Sequence, residues 1–582
     1  MGVGYRPAVT SRPLRRLVVP AWSVFLAVLA LGPALGPGHV LAYDMISTPR
    51  PPLGWRAAGL GDALPRAVPQ DLVVALLAQL VPGSVVQAAA LLGAVAGAAW
   101  GAAVLVPTRR LALRLAAGSL YAWNAYLAER LFLGHWGLLL AYAALPWVVR
   151  AGLGVRAGRW GAGRVVLAAL PAAITPTGSL LALGVAAAVL LGPGDRRSRV
   201  SLTALAGTAA LTLPWVVAAL VSPAAGRSDP AAVGVFALRS EGPGGLLGTA
   251  LGLGGTWNAA VVPASRATPA ALLAALLVGG LAVAGWRVLR ARWGSGGATG
   301  LLLAASAGVL VAVAGAVPGL DAVLRAVVAG VPGGGLLRDG QKFLAPLALL
   351  LAVTAPLGVE RGLVLLRRRV PPGTGTRIAA AALAGTAVVL PLAALPDLAW
   401  GGLGRLQAVR YPAEWDAVAA RVAGQPGALV TLPFGAFRAY GWNGGRTSLD
   451  PTDRYLDVPV VVDDQLVVSG VSGRRVVVAG EDPRAASVRR ALAAGRPLAS
   501  AGVRWALVQT DQPGTVPARA LDGMRPMWTG PTLRLYAAPG PPAAPAGPSW
   551  PRRAAVVAGY LGLLATVAAA GYGRVTTITR SS

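Results

Sequence analysis

The chain has 582 residues, 55% of them hydrophobic and only 13% charged, with a mean hydropathy of +0.62 and a formal net charge of +30. That balance excludes an ordinary soluble globular protein and points to an integral membrane protein. The absence of cysteine excludes thiolate metal sites, cysteine nucleophiles and disulfides, and 2 histidines cannot build a histidine-rich metal centre.

The N-terminal stretch "RPLRRLVVPAWSVFLAVLALGPAL" sets arginines before an apolar core and predicts a first membrane helix. "HVLA" just beyond it has the form of a signal-peptidase site after Ala42, but apolar spans resume at once and a retained helix is the simpler expectation. Next comes "LAYDMISTPRPPLGWRAAGLGDALPRAVPQD", with Asp44, Asp62, Asp71 and the arginines 50, 56 and 66. Its end runs into "VPQDLVVALLAQLVPG", which predicts a short amphipathic helix along the interface.

Further spans are predicted near 83–106, 111–128, 133–149, 165–175, 178–193, 201–221, 270–286, 299–317, 343–359 and 378–395, with a last one at 554–572. With about 20 residues needed to cross about 30 Å of hydrocarbon, the count comes to about twelve. Starting from a cytoplasmic N-terminus and alternating sides, the segments assigned inside hold 24 arginines and only Asp195 and Glu360 as acids. This is the positive-inside signature. It makes 36–82, 222–269 and 318–342 the main outer loops of a transmembrane region over 1–396, and puts Asp44 outside. Basic residues that punctuate apolar runs, rather than covering one soluble face, also exclude nucleic acid as the partner.

Residues 397–549 differ in kind. They mix strand-like runs ("ALVTLPF", "VRWALVQT", "TLRLYAAP") with helix-like ones ("AEWDAVAARVAG", "DPRAASVRRALAAG"), and predict a soluble α/β domain outside the membrane. The linker "PGPPAAPAGPSWP" leads to the final span and a cytoplasmic tail over 550–582. Arg552 and Arg553 fall on the wrong side of that span for the charge rule.

Charged residues are nearly missing from the middles of the spans, which weighs against an ion-coupled transporter. They gather in the outer loops. Besides the Asp44 loop, "YAWNAYLAERLFLGHWG" sets Asn124, Glu129, Arg130 and His135 at a helix-to-helix turn. A glycine-rich loop carries Arg239, Glu241, Trp257 and Arg266, and "PGGGLLRDGQKF" brings Arg338, Asp339 and Lys342 to the start of another span. An arginine beside the only lysine of the chain has the chemistry to hold a phosphate. No P-loop, HExxH or nucleophile elbow appears.

Taken together, "YAWNAYLAERLFLGHWGLLLAYAALPW" is similar to a segment of Asn-Pro, apolar residues, Glu-Arg and Gly-His-Trp found in bacterial members of the GT-C glycosyltransferase superfamily, with Ala125 in place of the proline. "RDGQKFLAPLALL" resembles a second recurrent stretch of such proteins. The resemblance implies transfer of a sugar from a polyprenyl-phosphate donor, on the outer face of the cell membrane, to an envelope glycan, lipid or protein. Carried over, it makes Asp44 the catalytic base or a ligand of a divalent ion such as Mg2+ or Mn2+, with Asp62 in reserve. Arg338 and Lys342, with Arg266, would face the leaving phosphate, and Arg50, Glu129 and His135 would contact substrate. The loop "YGWNGGRTSLDPTDRY" would stack on acceptor sugars. Asp44 has no acidic neighbour before Asp62, whereas many GT-C enzymes pair two acids here. A flippase or exporter of lipid-linked precursors and a non-catalytic envelope assembly protein are the alternative readings.

Overall fold

The computed structural model describes residues 12–61, 64–194, 198–224, 226–371, 373–469, 475–540 and 547–579. Among them, 8 helices are long and apolar enough to cross a membrane: Arg16–Leu35, Gly83–Leu105, Trp136–Arg156, Pro269–Trp293, Ser295–Ala314, Gly340–Arg369, Thr374–Ala394 and Trp550–Tyr572. The pair Arg199–Ala210 and Leu213–Leu220, bent by 51°, makes up to 9 if it is one span. The expected twelve is therefore not reached. Two of the predicted spans are the shorter helices Gly163–Ile174 and Pro176–Leu190, below the length that about 30 Å of hydrocarbon requires. A third, 111–128, is broken.

Asn124 breaks it. Its Nδ2 donates to the carbonyls of Leu120 and Tyr121 at 2.9 Å each, which the helix Leu111–Ala122 would otherwise leave open. Its Oδ1 accepts from the Leu127 amide at 3.0 Å and so caps the helix Ala125–Phe132. One side chain ends the first helix and starts the second. Every residue of that second helix is buried, which carries Glu129 and Arg130 into the protein interior.

The membrane helices approach closely through small residues. A Cβ on Gly285 would lie 2.0 Å from the Thr354 carbonyl, and one on Gly358 would lie 2.0 Å from that of Leu281. The helices Pro269–Trp293 and Ala345–Arg369 thus notch into each other through one glycine apiece, the usual way apolar helices gain contact in lipid.

The C-terminal region holds a five-stranded sheet in the order Arg525–Thr529, Leu533–Ala537, Val503–Gln509, Ala428–Leu432, Val460–Val461. The last three are parallel to one another and the first two join antiparallel. Alternation along the strands explains why both faces are covered. Leu429, Trp505, Leu507 and Leu535 face a core with Trp415 of helix Ala413–Val422, whereas Val430, Ala506 and Val508 face one with Ala485 and Val488 of helix Pro483–Ala493.

Candidate active site

Asp44 lies just past the first membrane helix, in a loop held from three directions. From helix Gly83–Leu105, Gln87 exchanges two 2.8 Å hydrogen bonds with the backbone of Val40, as a paired strand would. From the C-terminal region, Ala408–Val409 pairs antiparallel with His39–Val40. The Tyr43 amide donates to Thr447 O at 2.7 Å, and the Leu449 amide to Tyr43 O at 2.8 Å. From the turn before helix Trp136–Arg156, Leu133 O accepts from the Asp44 amide at 3.0 Å.

Two backbone features make this packing possible. Tyr43 sits at φ 45, a conformation that costs a non-glycine residue on the order of 1–3 kcal/mol. Gly134 has φ 81, and a Cβ there would lie 2.2 Å from the Met45 amide nitrogen. The glycine of "GHW" therefore lets the turn rest directly on the Asp44 loop.

That contact aligns a chain of side chains. Arg130, fully buried, forms a bidentate pair with Asp339: Nη1 donates to Oδ2 at 2.6 Å and Nη2 to Oδ1 at 2.8 Å. The same Nη1 lies 3.1 Å from His135 Nδ1. A guanidinium can only donate, so Nδ1 accepts, and the ring proton belongs on Nε2. Nε2–H then donates to Asp44 Oδ2 at 3.0 Å. Burial lowers the His135 pKa below its usual value, which keeps the ring neutral as this tautomer requires.

The Asp44 side chain is 48% exposed. Burial would raise its pKa, but the hydrogen bond from His135, with the charges of Lys342 and Arg454, outweighs that and holds it below the ordinary aspartate value. The carboxylate is ionised at neutral pH. Burial acts the same way on Asp339, and the charges of Arg130 and Lys342 overcome it, leaving Asp339 well below the carboxylate range. Lys342 Nζ stands 3.4 Å from Asp339 Oδ2. Arg338 lies 5.0 Å over the Phe236 ring and 3.7 Å from Glu481.

Behind Arg130 the network continues inward. Gln341 Oε1 accepts from both Nε and Nη2 of Arg130. Gln341 Nε2 donates to Glu129 Oε2 at 3.1 Å, which also accepts from the Thr256 amide at 3.2 Å. Burial first, then the charge of Glu241, push Glu129 well above the usual carboxylate range. Glu241 in turn pairs with Arg266 at 3.0 Å. A Cβ on Gly254 would lie 2.1 Å from Glu241 Oε2 and 2.8 Å from Arg266 Nη2, so this glycine of "GLGGTW" makes room for the pair.

Of the residues singled out from the sequence, Asp44, His135, Lys342 and Arg338 are brought together, the last acting on Asp44 and Lys342 through its charge. Glu129 has no exposed surface and touches Gln341 and Thr256, so it supports the site from behind instead of meeting substrate. Arg266 is committed to Glu241 and lines a separate apolar groove of about 90 Å³ between helices. Arg50 is exposed outside the network, and Asp62 lies outside the described residues. Arg130 was named in its cluster without a role at the site, and Gln341 and Arg454 were not singled out. The neighbouring "ER" and "GQK" letters were the available signal for the first two, whereas Arg454 arrives from the C-terminal region.

The loop "YGWNGGRTSLDPTDRY" is not a free platform for sugars. Tyr440 and Tyr455 are buried in the aromatic core around Trp415, Trp442 packs on it, and Asp450 is paired with Arg438 at 3.0 Å. The anomalous Arg552 and Arg553 are tied to the first loop, through the Gly61 carbonyl at 3.3 Å and the Trp55 ring at 5.4 Å.

Among the described residues no group of three His, Asp or Glu could hold a metal. Asp44 Oδ2 is taken by His135, both oxygens of Asp339 are taken by Arg130, and the charge facing Asp44 comes from side-chain cations.

The fold is similar to a cryo-electron microscopy structure of arabinofuranosyltransferase AftD from mycobacteria, with a TM-score of 0.57, 21% identity and coverage of 93% of this chain and 41% of that one. Two structural classes of a point mutant of that enzyme give TM-scores of 0.55 and 0.53, at 20% and 19% identity. No protein-family model and no curated protein sequence matches. The chain spans about two-fifths of the length of these structures. At this identity the likeness concerns the fold alone, and it agrees with the fold that the sequence resemblance implies.

Proposed function

We propose that this chain is a membrane glycosyltransferase that moves a sugar from a polyprenyl-phosphate donor to a cell-envelope acceptor on the outer face of the membrane. The observation that supports it most is the ordered chain Asp339, Arg130, His135, Asp44, which presents one ionised, half-exposed carboxylate beside Lys342 and Arg338. The fold shared with an arabinofuranosyltransferase supports the same reading, and suggests a pentofuranose as the sugar.

In this reading the acceptor hydroxyl gives its proton to Asp44 as its oxygen attacks the anomeric carbon. The bond from that carbon to the phosphate oxygen breaks, and the electron pair leaves with the polyprenyl phosphate. Lys342 and Arg338 stabilise the charge that develops there. His135 holds Asp44 in one orientation, and Arg130 holds His135 in one tautomer.

The test is complementation of a deletion strain with Asp44→Asn, with membrane levels of the variant checked and envelope glycans and polyprenyl-phosphate sugars profiled. The expected result is accumulated donor and a missing glycan with the protein present. A wild-type profile from the Asn variant would remove Asp44 from the chemistry and favour the exporter or assembly readings.

A further inference from the structure

Beside the Asp44 loop lies a cavity of about 310 Å³, walled jointly by the first loop, helix Gly83–Leu105 and residues 453–459 of the C-terminal region. Its size falls in the range of small-molecule sites. Ile46 and Ser47, just after Asp44, line it, as does Trp136, which follows His135. Asp44 itself does not line it, so the cavity flanks the reactive carboxylate instead of containing it.

Its chemistry is specific. Two indoles, Trp55 and Trp136, share the wall with Asp71, Asp453, Asp457, Arg56 and Arg454. The carboxylates outnumber the guanidiniums, and the guanidiniums are already committed. Arg56 donates to the carbonyls of Val458 at 2.7 Å and Asp453 at 2.8 Å, and Arg454 pairs with Asp71 at 3.2 Å. A phosphate would meet net negative charge here. An acyl chain would strand the charged groups away from water. What the wall offers a hydroxyl is Asp457, exposed and without a hydrogen bond among the described residues, whereas Asp71 is held by Arg454 and Asp453 Oδ2 faces Arg56 at 3.5 Å. The exposed Trp55 indole plus the unfilled Asp457 carboxylate match a ligand with apolar C–H faces and many hydroxyls.

We infer that this cavity binds one or two neutral sugar units of the acceptor glycan, separate from the donor phosphate, which belongs on the Lys342 side of Asp44. The inference rests on the transferase reading for the word acceptor and on the cavity alone for the sugar.

Gly54 offers the test, since it lines the cavity and a Cβ there meets nothing within 4 Å. Saturation-transfer NMR on the full chain in nanodiscs would use octyl di-arabinofuranoside, maltose and cellobiose as probes, with inorganic phosphate as competitor. At least one disaccharide should bind the wild type and Asp44→Asn alike, be unaffected by phosphate, lose its signal in Gly54→Phe and bind about ten-fold more weakly to Asp457→Asn. Full binding to both Gly54→Phe and Asp457→Asn, displacement by phosphate, or no binding of any disaccharide would overturn the assignment. The two readings fail separately. Sugar binding without an effect of Asp44→Asn on glycans removes the transferase, whereas loss of transfer in Asp44→Asn with undisturbed binding to Gly54→Phe removes the cavity.

Discussion

His135 Nε2 stands 3.0 Å from Asp44 Oδ2, although 91 residues separate them in the chain. Arg130 on the other ring nitrogen leaves the imidazole one way to donate, so the contact is a hydrogen bond to an ionised carboxylate from a ring of fixed tautomer.

A pH prediction follows for the proposed base. Asp44 has a depressed pKa, so its carboxylate, and the activity that needs it, persist above that pKa and are lost as pH falls through it. His135→Leu removes the bond that lowers it. Hydrogen bonds to charged groups are worth roughly 1.5–3 kcal/mol, so the acid limb should move up by roughly one to two pH units. A pH–rate profile of wild type and variant in nanodiscs checks this, and an unmoved limb would exclude His135 as the partner that sets Asp44.

Arg130 and Asp339 should be bound together in stability. Arg130→Met takes the bidentate partner from buried Asp339, leaving it only Lys342 at 3.4 Å, with an expected cost of about 3–5 kcal/mol. Arg130→Lys keeps the charge but cannot make both bonds to Asp339 while reaching His135, and should lose activity as well. Thermal melts in detergent, followed for each variant and for Asp339→Asn, measure the coupling.

Gly134→Ala tests the seat of the Asp44 loop. The added carbon must occupy space 2.2 Å from the Met45 amide at a backbone angle of φ 81 that alanine avoids. The expected loss is about 1–3 kcal/mol of stability, with an activity deficit greater than unfolding accounts for. Activity per folded molecule equal to wild type would show that the loop reaches its place without the glycine.

Side-chain cations in place of a caged ion predict that sugar transfer survives excess EDTA. Lys342→Gln should instead reduce turnover by about 10²–10³-fold, the usual effect of losing one group that stabilises developing charge. Transfer that stops in EDTA and returns with Mg2+ or Mn2+ would assign the ion a role that these side chains do not fill.

Read from the letters alone, composition and the spacing of arginines and apolar runs determined a polytopic membrane protein with a different C-terminal region, because lipid demands long apolar helices whatever their neighbours are. The motifs around Glu129 to His135 and Arg338 to Lys342 were equally legible as clusters. The number of membrane-competent helices was not. An apolar run does not reveal that Asn124 will cap two helix ends at once, nor that the runs near 165–175 and 178–193 form helices of less than membrane length.

Only the tertiary structure decided which residues share the site. Glu129 and Arg130 are adjacent in sequence, yet one faces Gln341 and Thr256 while the other joins His135 to Asp339. Arg454, far along the chain, reaches the field of Asp44 because the C-terminal region pairs its backbone with the first loop at Tyr43 and His39. Hydropathy acts locally and is written residue by residue. Hydrogen bonds and ion pairs between distant segments depend on how helices and sheet pack, and that packing brings them into being.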